Sequence, residues 1–211
     1  MSTNREFINA SLFRALLPET KWTELLSADY SQVFQRLREA GPLGAEAASF
    51  IQEKKVKLGF YEQYKSGAGW TLLRNITLAP GVKLDNPYAL CLIIHEAYHL
   101  KQSILERLSM RGELLAWQHQ ERAYFELTEK RIYDSGQAYG GTRKHWEELM
   151  QLSADSREDL KRAQDVTRKI SPDYRSYCLP LYPLPKEIGY FLKQGKFKEA
   201  FDAVKNLISC K

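Results

Sequence analysis

The stretch "YALCLIIHEAYHLKQ", residues 88–102, decides how the rest of the chain is read. Its first seven residues, Tyr88 to Ile94, are apolar, and it then carries two of the four histidines, His95 and His99, with Glu96 between them. Upstream, Asn86 is a good N-cap and Pro87 sits at the favoured first helical position, so a helix with a defined start is predicted. Residues i and i+4 of a helix lie one above the other, so His95 and His99 can offer imidazole nitrogens to one ion. Glu96, turned about 100° from His95, falls beside such an ion rather than on it. This HExxH spacing supplies what zinc hydrolysis requires: two neutral nitrogen ligands, and a carboxylate placed to take a proton from the metal-bound water. The bland alternative is a core helix that happens to carry two histidines. Average residue usage makes a chance HExxH rare in a chain of this length.

Outward from this helix the pattern changes period. "KVKLGFYEQY", residues 55–64, alternates apolar and polar positions as a half-buried strand does, and "WTLLRNITLAP", residues 70–80, is rich in β-branched and aromatic residues. Together they predict a hairpin or a pair of neighbouring strands. Before them, helices are expected over residues 4–17, over Glu19 to Ala40 and over Leu43 to Lys54, punctuated by Pro18 and by Gly41-Pro42. After the 88–102 helix, a break near Ser109 to Gly112 leads into a second long helix from Glu113 to Asp134. A charged surface helix over 143–169, a Pro/Tyr-rich connector at 172–185, and two short helices, Pro185 to Gln194 and Lys196 to Ser209, complete the chain. The predicted class is α+β: one mostly helical domain over 1–211, with a small antiparallel sheet or hairpin packed on the HExxH helix. Its parts are N-terminal helices (1–54), sheet plus metal-binding helices (55–133) and a C-terminal helical region (134–211).

A strand, an HExxH helix, a break and a helix opening on glutamate resemble the zincin metallopeptidases, in particular the small gluzincin-like group. The resemblance covers about residues 55–133. It implies a bound zinc ion, a third ligand on the following helix, a peptide or protein substrate paired as an extra strand along residues 70–79, and Glu96 as general base. The segment "RGELLAWQHQ" resembles the third-ligand segment of that group and points to Glu113. Counting along the helix supports it: Glu113 shares a mostly apolar face with Ala116, Trp117, Gln120, Tyr124 and Leu127. Glu113 follows His99 by only 14 residues, a short path between two helices, so the first helix is expected to stop near Gln102 to Leu105. His119 is the alternative ligand and Glu121 the third choice. His119 lies about 240° around the helix from Glu113, so the two do not serve one ion together. Tyr133, Tyr139 and His145 are chemically suited to stabilise an oxyanion, with nothing to choose among them. Tyr98 is expected in the core. Manganese, iron or cobalt use overlapping ligand types.

Composition bounds the rest. With 211 residues, 44% hydrophobic and 27% charged, the chain has the make-up of a globular protein. No apolar run approaches the roughly 20 residues of a membrane span, and residues 1–19 lack a leader pattern, so no membrane partner and a cytoplasmic location are expected. Cys91, Cys178 and Cys210 are widely spaced and read as buried or idle thiols. Residues 161–211 hold 11 Lys/Arg against 5 Asp/Glu, which admits an acidic partner without a recognisable nucleic-acid motif. Two rivals to a peptidase therefore stand beside it: a non-catalytic metal-binding or regulatory module, and a basic nucleic-acid-associated helical protein.

Overall fold

In the computed structural model, residues 22–62, 67–71, 75–135, 142–170 and 178–208 are described. The expected helix over 4–17 and Tyr139 lie outside them, as do parts of the 70–79 strand and of the 172–185 connector. The chain divides into two compact units. A sheet unit comprises Arg14–Lys101 and Ala116–Ala138, and a helical unit comprises Met1–Phe13, Gln102–Leu115 and Tyr139–Lys211. The architecture is mostly helical with one four-stranded sheet, as the α+β reading expects.

In the sheet unit, β1 (Trp22–Glu24) leads into α1 (Ser27–Glu39) and α2 (Pro42–Glu53), then β2 (Lys57–Tyr61), β3 (Ala68–Trp70), β4 (Asn75–Leu78) and α3 (Pro87–Lys101). Two expectations are corrected here. The helix drawn from Glu19 begins only at Ser27, because Trp22 to Glu24 pair antiparallel with Tyr61 to Gly59. Gly59 permits that pairing: a Cβ there would stand 2.5 Å from both the Thr23 carbonyl and the Trp22 ring. Nor is the sheet a simple antiparallel hairpin. Its order is β1-β2-β4-β3, with β2 parallel to β4 and only the β1–β2 and β3–β4 pairs antiparallel. Alternating apolar residues specify which face a strand buries but not its direction, so this topology was not legible. All four residues of β4 are buried, and it is paired on both sides.

The sheet and α2 pack against α3, whose Leu90, Ile93 and Ile94 are at most 1% exposed. Asn86 caps α3 as predicted, its Oδ1 accepting the Tyr88 N–H at 2.8 Å. Cys91, in the middle of the helix, is free and fully buried. Burial pushes its thiol up to about 12, and Glu121 acts in the same direction.

The helical unit holds α4 (Ile104–Arg107), the first turns of α5 (Met110–Thr128), then α6 (Arg143–Gln151), α7 (Arg157–Ile170), α8 (Leu184–Lys193) and α9 (Phe197–Ile208). The single helix expected over 143–169 is two. Ser156 ends the break between them by accepting the Asp159 N–H, while Asp159 accepts the Ser153 N–H in return. Each half buries an apolar stripe, Trp146 and Leu149 on α6, Leu160, Ala163 and Val166 on α7. Between α7 and α8, Arg157 and Glu187 form a bidentate pair at 2.8 and 2.6 Å, with the guanidinium 3.7 Å from the centre of the Tyr190 ring. Cys178 is disulfide-bonded, not idle. No helix among the described residues is long and apolar enough to cross a membrane.

Glu187 is 3% exposed and Arg157 is half-buried, so Glu187→Ala leaves the guanidinium without its counter-charge and is expected to cost about 1–3 kcal/mol in chemical denaturation. Cys91 is expected to resist iodoacetamide at about pH 8 in the native protein and to be alkylated after unfolding, as read by mass spectrometry.

Candidate metal centre

Helix α3 ends at Lys101, one residue short of the expected window. A compact reversal then brings the next helix back at once. Gln102 and Ser103 lead into the single turn of α4, capped by Ser103 Oγ accepting the Glu106 N–H at 3.2 Å, and α5 starts at Met110. Ser109 holds the junction: its hydroxyl donates to the Glu106 carbonyl at 2.7 Å and accepts the Gly112 N–H at 3.1 Å. Gly112 lies so close that a Cβ would stand 2.0 Å from the Glu106 carbonyl oxygen. Only glycine leaves room for that approach, and it explains how 14 residues suffice to carry the chain from His99 to Glu113.

The start of α5 is tied down further. The Met110 and Arg111 N–H groups donate to the carbonyls of Pro180 and Leu181 at 2.8 and 3.0 Å. Two of the N–H groups that a helix start leaves orphaned are thereby satisfied. The Arg111 guanidinium donates to Glu106 and, at 3.1 Å, to Asp155. Sequence reasoning overlooked these supports, although a serine directly before a helix start is a recognised cap signal.

The donor atoms of His95, His99 and Glu113 all lie within 4.8 Å of one another. The three residues are 4%, 1% and 5% exposed, and Glu96 is 6% exposed. The two histidine Nε2 atoms approach to 3.1 Å, with the rings at 72° to each other. Two nitrogens bound to a tetrahedral ion at about 2.0–2.1 Å sit about 3.3 Å apart. The imidazole pair thus already has nearly the separation such an ion imposes. With two imidazoles and a carboxylate, the set is rich in acceptor atoms and suits a divalent cation of the zinc type. Trp70 of β3 flanks it, its ring 6.4 Å from that of His99.

The other candidates are placed elsewhere. His119 stacks on Tyr98 with ring centres 4.4 Å apart, and burial lowers its pKa, so it is a neutral packing residue outside the group. Tyr98, expected in the core, is instead half-buried and packs on the His119 ring. Glu121 is buried, and burial pushes its carboxyl up, but it accepts the Ile132 N–H at 3.1 Å and pairs with Arg131. It anchors the chain that leaves α5. His145 caps α6, its Nδ1 accepting the Thr142 N–H at 3.2 Å, so its ring serves the helix start. Tyr133 lies half-buried in a single 3₁₀ turn, Ile132–Ser135.

No family model, curated protein or solved structure matches this chain. The chemistry of the centre itself is therefore what bears on its function.

Gly112→Ala forces the backbone of α4 and α5 apart. It is expected to cost about 1–3 kcal/mol, by analogy with overpacked cores, as measured by chemical denaturation.

Proposed function

We propose that this chain is a metal-dependent hydrolase of the HExxH type, zinc being the first candidate metal, and that it cleaves peptide bonds. The observation that carries the reading is the buried cluster of His95, His99 and Glu113, three donors gathered with Glu96 at the ligand-flanking position. His95, His99 and Glu113 would hold the ion. Zinc, when bound, supplies Lewis acidity that makes water nucleophilic near neutral pH. The protein's part is then proton handling and exclusion of solvent. The Glu96 carboxylate accepts a proton from the attacking water and returns it to the leaving nitrogen, a role that needs one carboxylate close to the ion and not coordinated to it. Burial of all four side chains keeps the site dry, which strengthens these charge interactions.

The substrate path expected along residues 70–79 is revised, since β4 is paired on both sides. A non-catalytic metal module accounts for the three ligands without using Glu96 as a base.

The deciding experiment compares metal content and hydrolysis of a fluorogenic peptide mixture in the wild type, His95→Ala, Glu113→Ala and Glu96→Gln. Near one zinc per chain is expected in the wild type and lost in the two ligand variants. Glu96→Gln is expected to keep its zinc and lose about 10²–10⁴-fold in rate. Equal rates in Glu96→Gln and wild type would sink the peptidase reading, and absence of zinc after reconstitution would sink the metal centre.

A further inference from the structure

The two C-terminal helices carry a surface the metal centre does not use. Helices α8 and α9 pack against each other and are joined by a turn at Gly195, where the Lys196 N–H returns to the Phe191 carbonyl at 2.9 Å. Every residue from Leu192 to Glu199 is exposed, so the corner lies at the surface of its unit. Its apolar members are conspicuous: Phe197 is 71% exposed, Phe201 69% and Leu192 45%. Single exposed apolar residues are ordinary. Two exposed phenylalanines one helical turn apart on one face of α9, with exposed Leu192 at the other side of the turn, are not.

The charge around this corner selects the partner. From Leu192 to Lys205 there are four lysines, Lys193, Lys196, Lys198 and Lys205, against Glu199 and Asp202. Lys193, Lys196 and Lys198 are exposed and form no ion pair with a described residue. By helical position, Lys198 and Lys205 border the Phe197–Phe201 face, so their ammonium groups can reach outward beside the rings. The hairpin is held firmly at its base, where Glu187 of α8 is paired with Arg157. A second copy of the same corner would bring like charges together. The two phenylalanine rings offer planes for stacking bases, but exposed Leu192 beside them adds apolar area that stacking leaves in water and a hydrocarbon boundary takes up.

We propose that the α8–α9 corner is an interfacial contact with an anionic lipid bilayer. Phe197, Phe201 and Leu192 enter the headgroup and acyl boundary, and Lys193, Lys196 and Lys198 meet the lipid phosphates. This mode lies on the membrane without crossing it. The expectation of no membrane partner came from the lack of a spanning segment and does not bear on it. The proposal is independent of the metal centre.

The test is co-sedimentation of the full chain with vesicles of phosphatidylcholine containing about a third phosphatidylglycerol, and with pure phosphatidylcholine vesicles. Binding to the anionic vesicles is expected, at least about tenfold weaker to the neutral ones and falling with salt. The double variant Phe197→Ser/Phe201→Ser is expected to lose at least about tenfold in binding, with its far-ultraviolet circular dichroism unchanged. Lys193→Glu/Lys196→Glu/Lys198→Glu, altering only exposed side chains, should lose the anionic preference. No binding to anionic vesicles at low salt overturns the proposal. So does binding that the phenylalanine variant leaves intact, which would be charge attraction alone. Phenylalanine-dependent binding to a single-stranded oligonucleotide without vesicle binding would reassign the surface to nucleic acid and overturn it equally.

Discussion

The approach of Gly112 to the Glu106 carbonyl is the constraint on which the candidate centre rests. A histidine pair on one helix offers two ligands for geometric reasons internal to the helix. A third must come from elsewhere in the chain, and here it arrives after a reversal completed between Lys101 and Met110. The α4 turn and the Ser109 cap use nearly every residue of that link, and Gly112 removes the one side chain that would keep α4 and α5 apart. The carbonyls of Pro180 and Leu181 and the carboxylates of Glu106 and Asp155 then fix where α5 begins. The place of Glu113 within its own unit follows from where α5 begins, not from anything unusual in its side chain.

The buried carboxylates divide by what answers them. Glu121 is met by a backbone N–H and an arginine, and Glu187 by a bidentate guanidinium, so both are satisfied by donors from the chain. Glu113 is grouped in addition with two imidazoles, its carboxylate and their ring nitrogens within 4.8 Å of one another, an arrangement that could hold a cation. His119 is packed on Tyr98 and lies outside that group.

Much of this was legible because the signals were local. Asn86-Pro87 marked the start of the motif helix, HExxH placed two imidazoles on one face, and the apolar face shared by Glu113 favoured it over His119 as their companion in the group. What escaped depended on long-range pairing. Trp22 to Glu24 read as helix because nothing nearby reveals that Gly59 leaves a slot for the Trp22 ring. The parallel pairing of β2 with β4 escaped for a similar reason, since a period of two residues is the same in either direction. The serine-capped break at 153–156 was local, and was hidden by strong helix formers on both sides.

Arg157 and Glu187 bear on how this sequence can change over time. Either partner alone is costly to lose, whereas replacing both with apolar residues of similar volume is often neutral or better. The favourable double change can be reached one substitution at a time only through a weakened intermediate. Drift therefore tends to leave both positions where they are, and the pair is entrenched by the cost of its first step more than by any large net contribution to stability. The Tyr190 ring beside the guanidinium deepens that trap, because it too is fitted to the charge it faces.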